Sequence, residues 1–108
     1  MNTGKVVKIR FVKKYKDAKN HVCIGEVKRE TANYIAVKGV TFHFGSVFSQ
    51  PPTLGRGKLK TRWIPWHQIE IVTELPADLD WMREEFTLDE GGDIILRKEA
   101  KPDETAFA

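Results

Sequence analysis

The stretch Arg62–Val72, RWIPWHQIEIV, decides how this chain is read. Both ends look like strand, yet a proline, a histidine and two tryptophans break the pattern. Pro65 has no N–H to give to a sheet ladder, so it ends one strand. QIEIVTE, residues 68–74, begins the next. Between them Trp66, His67 and Gln68 leave room for one tight 3₁₀ turn and nothing larger. Period-two alternation puts Leu59, Thr61 and Trp63 on one side of the strand before the turn, and Ile69 and Ile71 on one side of the strand after it. Both sets are expected to point inward. Lys58, Lys60 and Arg62 then point outward.

Upstream, the same alternation continues. Val7, Ile9 and Phe11 oppose Lys8 and Arg10 in a first strand. KYKDAKN, residues 14–20, is a polar turn. In HVCIGEVKRE, Cys23, Gly25 and Val27 share one face and Val22, Ile24 and Glu26 the other; Gly25 signals a bend or a close backbone approach. After a turn at residues 30–33 comes a long strand, NYIAVKGVTFHF. Its parity switches between Val37 and Val40, which predicts a bulge at Lys38–Gly39. Residues 45–58, rich in Gly, Pro and Ser, read as a long loop.

Five strands with a bent middle pair and a one-turn link before the last predict a mainly β fold: a five-stranded, SH3-like small barrel over residues 1–75. Residues 76–108 form a C-terminal extension. PADLDWMREEF, residues 76–86, opens on proline and acidic residues and spaces Leu79, Met82 and Phe86 helically, so a short amphipathic helix is expected. EGGDIILRKE adds an expected extra strand, and AKPDETAFA an expected frayed end.

At 108 residues the chain has room for one domain with one small core. Residues 1–73 hold 14 basic and four acidic residues, a net +10, whereas 74–108 hold four basic and 11 acidic, a net −7. A basic body with an acidic tail fits a polyanion binder. It equally fits solvated strand faces with a solubilising tail. The single cysteine, Cys23, excludes an internal disulfide and a cysteine-based zinc site. No run approaches the roughly 18 apolar residues a membrane helix needs, and MNTGKVVKIR has no apolar signal core. A soluble, cytoplasmic protein is expected, with no membrane partner.

Two stretches carry a family resemblance. GEVKRETANYIAV, Gly25 to Val37, is similar to the first Sm motif: a strand glycine, then apolar and acidic positions, then a turn with asparagine or an aromatic. WIPWHQIEIV, Trp63 to Val72, resembles the second motif of the bacterial Hfq-type branch, with tryptophan standing where that motif has lysine before histidine. The resemblance implies an Sm-like barrel assembled in rings, the fourth and fifth strands of neighbours pairing edge to edge, with RNA near the central pore. It puts Asn33 and Tyr34 in the base-stacking turn, His67 at the motif histidine and Trp66 beside it.

The residues themselves allow that chemistry. Single-stranded RNA is held by π faces and by cations along its backbone. Tyr34, Trp66 and His67 supply the first. Lys8, Arg10, Lys58, Lys60 and Arg62 supply the second, expected from one outward face. Trp66 at a turn is equally a cap on the barrel end. The expected function is non-catalytic binding of single-stranded RNA by a homo-oligomer, a ring or smaller, with the acidic tail competing for the basic surface. The alternative is an SH3-like module in which Trp66, Tyr34 and the Pro-rich loop form a groove for a protein partner. No nucleophile, phosphate-loop or dinucleotide signature supports an enzyme. The scattered His21, His43 and His67 suggest no metal, and no cofactor is expected.

Overall fold

The computed structural model describes residues 2–13, 20–44, 54–88 and 94–96. They form eight strands: β1 (Val6–Phe11), β2 (Asn20–Glu30), β3 (Tyr34–Phe44), β4 (Leu54–Arg56), β5 (Lys60–Pro65), β6 (Ile69–Glu74), β7 (Phe86–Leu88) and β8 (Ile94–Leu96). The expected 3₁₀ turn is present at Trp66–Gln68. Six strands make one antiparallel sheet in the order β4-β3-β2-β1-β6, with β5 also on β3. The long β3 serves two partners along one edge: β5 against Tyr34–Gly39 and β4 against Phe42–Phe44. Among the described residues β5 and β6 do not pair with each other, so the sheet is not closed into a barrel.

The parity switch in β3 has a different cause from the one expected. Pairing with β2 runs through Lys38 and Gly39 without interruption, and the register shift lies on β2, between Val27 and Arg29. Both parities of β3 are buried because each faces its own core. On the first face Val7, Ile9, Cys23, Val27, Ile35, Val37 and Ile64 cluster. On the second face Val22, Ile24, Val40, Phe42 and Phe44 cluster with Trp81, Phe86 and Ile94 from the C-terminal extension. A central strand apolar on both faces reads as a parity fault only if one face is assumed wet.

The extension therefore belongs to the fold. Residues 76–85 hold turns instead of the expected helix, with backbone bonds from Leu79 N–H to Pro76 C=O and from Glu84 N–H to Asp80 C=O. A helix this short is marginal alone. Here the chain instead runs so that Trp81 and Phe86 both reach the sheet, while Met82 is exposed. The expected extra strand is β8, paired with β7. Within the expected loop 45–58, residues 54–56 are the short strand β4; residues 45–53 and the expected frayed end lie outside the described residues.

Two further expectations about facing are overturned. Ile64, not Trp63, points inward: Ile35 pairs with Ile64 and Ala36 with Trp63, and paired residues share a face. Trp63 is 68% exposed, and Leu59 and Thr61 are exposed with it. On β6 the β1 register shifts between Arg10 and Phe11, so Ile69 and Val72 take the first-face positions opposite Phe11 and Ile9. Ile71 goes with Arg10 to the other face and is exposed.

Candidate nucleic-acid interface

Nine residues were expected to contact a ligand, and the fold disperses them. Lys8 and Arg10 lie on β1, on the second face, where Lys8 Nζ donates to Ile94 O at 3.2 Å. The C-terminal extension thus meets this part of the basic surface with a backbone carbonyl. Lys60 and Arg62 share the first-face parity through their partners Gly39 and Val37. The five cations therefore do not line one face: the parity of β1 sends Lys8 and Arg10 to the face opposite Lys60 and Arg62.

Arg62 is a structural tie. Its guanidinium donates to Gly39 O at 3.0 Å, Lys58 O at 3.1 Å and Thr41 Oγ1 at 3.5 Å, fastening the link between β4 and β5 to β3. Lys58 and Lys60, on the way into β5, are exposed.

Trp66 takes the cap role. Its indole Nε1 donates to Thr31 O at 2.8 Å, and its half-buried ring packs on the first-face core. Its backbone N–H reaches Asn33 O at 3.3 Å, so the 3₁₀ turn and the β2–β3 turn are bound together. Thr31 Oγ1 accepts from the N–H groups of Asn33 and Tyr34 and shapes that turn. Asn33 and His67 are exposed.

The aromatic that sequence reasoning sent inward supplies the open π face. Tyr34 and Trp63 stack with centroids 5.1 Å apart and planes parallel. They sit on diagonal positions, since Tyr34 opposes Pro65 and Trp63 opposes Ala36. Small Ala36 leaves the indole uncovered. Exposed Lys38 lies two residues along β3 on the same face. The signal for this pair was present, an aromatic on each strand near the Tyr34–Pro65 end of the β3–β5 pairing, but it needed the register to be seen.

At the far end of the first face Phe11, His21 and His43 stack in a row, with centroid spacings of 4.3 and 4.1 Å. Among the described residues His21 Nε2 is buried without a hydrogen-bond partner. Burial, helped by neighbouring His43 and Arg62, lowers the His21 imidazole from its ordinary 6.5 to about 4. Burial also pushes the Cys23 thiol up to about 11, which makes it unreactive. Among the described residues no group of three His, Cys, Asp or Glu side chains is placed to hold a metal ion. None of their helices is long and apolar enough to cross a membrane.

What the fold defines is a small, mainly β protein built on one six-stranded antiparallel sheet, with a stacked aromatic pair at one edge, half-buried Tyr34 and exposed Trp63. No protein-family model, curated protein or solved structure matches the chain.

Proposed function

We propose that this chain is a non-catalytic, cytoplasmic binder of single-stranded RNA, an Sm-like small barrel acting as a homo-oligomer. The observation that carries the reading is the Tyr34–Trp63 stack, with Trp63 68% exposed on β5 and exposed Lys38 on the same face of the paired strand. Bases stack on the free indole face while Lys38, and Lys58 ahead of β5, meet phosphates. Support for the barrel comes from the strand order β5-β3-β2-β1-β6 and from the one-turn link between β5 and β6. Support for the oligomer comes from those two strands, each paired on one side only among the described residues. Joining the β5 edge of one copy to the β6 edge of the next satisfies both ladders and spares the outer faces.

The test is oligo(U) and oligo(A) binding by fluorescence anisotropy across a salt series, with solution mass followed by light scattering. Affinity should fall steeply as salt rises. Trp63→Ala should weaken it by roughly 5- to 150-fold, the value of one stacked base. Equal affinity at low and high salt, or indifference to Trp63→Ala, defeats the reading.

The second reading, an SH3-like module for a protein partner, is favoured by β6. Ile71 and Val72 are 53% and 41% exposed on a strand with an open edge, the feature that strand addition uses. Capture of an extended peptide with no RNA affinity would select it.

A further inference from the structure

Between the 3₁₀ turn at Trp66, the N-terminal residues and β6, the first-face core opens to solvent through a cleft of about 280 Å³. Val7, Val27 and Ile35, each at most 3% exposed, are its floor, with Val72 and Trp66 beside them. Its polar lining is Asn2, Lys5 and Glu74. Lys5 Nζ and Glu74 Oε1 are 3.2 Å apart and both side chains are partly exposed, while Asn2 Nδ2 donates to Glu30 Oε1 at 2.7 Å.

An ammonium offers donors only, a carboxylate acceptors only, and an amide both. Lys5 and Glu74 each keep hydrogen-bonding capacity beyond their mutual contact. Three such groups beside an apolar floor suit a ligand with flat apolar faces and a mixed donor–acceptor edge. A phosphate would meet the Glu74 carboxylate. An aliphatic side chain would cover the polar lining without pairing it, which costs free energy. The volume sits at the small end of ligand pockets, enough for one ring system and not for a stretch of chain.

We infer that this cleft receives one unstacked nucleobase, read along its edge by Lys5, Glu74 and Asn2. The inference rests on the RNA reading above and deepens it. Tyr34 and Ile35 are consecutive in β3, the first in the stacked pair and the second on the cleft floor. A strand rounding the start of β3 passes from one to the other.

The experiment titrates the full methyl-labelled chain with each of the four ribonucleosides, then with oligo(U) and oligo(A). The methyl resonances of Val7, Val27, Ile35 and Val72 should move with at least one nucleoside alone. Val72→Phe, which fills the mouth from a partly exposed position, should weaken that nucleoside at least tenfold. Glu74→Gln should change which nucleoside binds best. If the oligonucleotides bind with an affinity that Trp63→Ala weakens, read by fluorescence anisotropy, while no cleft methyl responds to any ligand, the cleft inference is overturned and the RNA reading stands. If cleft methyls respond to a nucleoside but no oligonucleotide binds, the base site stands and the strand reading falls. If nothing binds, both fall.

Discussion

Gly25 and Gly39 face each other across β2 and β3 with no room for a side chain on either. A Cβ on Gly25 would overlap the Lys38 carbonyl oxygen and Gly39 Cα, and one on Gly39 would overlap the Ile24 carbonyl oxygen. The obstacles are backbone, which cannot rotate away.

Gly25→Ala and Gly39→Ala should therefore each destabilise the fold by about 1–3 kcal/mol or more, through forced strand separation. For a domain of this size that is a fall in Tm of roughly 4–8 °C per kcal/mol. Thermal unfolding followed by circular dichroism measures it. A neutral alanine at either site would mean that the close approach of these strands is not required.

Trp63 and Trp66 should separate cleanly in a stability assay. Trp66→Phe keeps the packing but removes the indole donor to Thr31 O, and should cost about 1 kcal/mol. Trp66→Ala should cost more, since the ring packs on the first-face core. Trp63→Ala, at an exposed position, should stay within about 1 kcal/mol of the parent. Urea midpoints at constant slope decide the order, and a reversed order would reverse the roles assigned here.

Acid stability should depend on His21. Its imidazole titrates near 6.5 in the unfolded chain and at about 4 in the folded one. Between those values the unfolded state holds more protons, so this residue's contribution is intact above pH 6.5, drains away as pH falls towards 4, and levels off below. His21→Phe, which preserves the stack with Phe11 and His43, should flatten the stability–pH curve across that window. Chemical denaturation at pH 7, 6, 5 and 4 reads the difference between the two proteins. Parallel curves would move the acid sensitivity to other groups.

The C-terminal segment should prove indispensable. A chain ending at Leu75 uncovers Val22, Ile24, Phe42 and Phe44, now buried against Trp81, Phe86 and Ile94. It should aggregate or lose its cooperative transition. Within the full chain, Trp81→Ala should cost about 3–5 kcal/mol. A well-folded truncate that binds RNA more tightly would restore the view of this segment as a mere acidic competitor.

Much of the fold is legible along the chain because its cues are local. Pro65, the three-residue gap to Ile69 and the alternation of β1 and β2 depend on near neighbours alone, and the break between β5 and β6 follows from them, whereas β4 and β7 are not foreseen. The candidate site was legible only in part. Tyr34 and the lysines flanking β5 are surface features, as expected. Trp66 and Arg62 look like ligand-binding residues in sequence, yet their donors are committed to Thr31 O and to Gly39 O and Lys58 O, carbonyls at least four positions away in the chain.

Alternation along a strand sorts side chains into two sets, and that sorting is built into a two-residue backbone repeat. Which set goes inside is not. Ile64 is buried and Trp63 open because β3 presents Ile35 and Ala36 to them, and Ile71 is exposed because of a one-residue shift against β1. Val40, Phe42 and Phe44 are buried on the face opposite Ile35 and Val37 because a segment some forty residues downstream folds back over that part of β3. Period is a property of a single strand, whereas facing is a property of its pairings, and pairings are made between residues far apart in the chain.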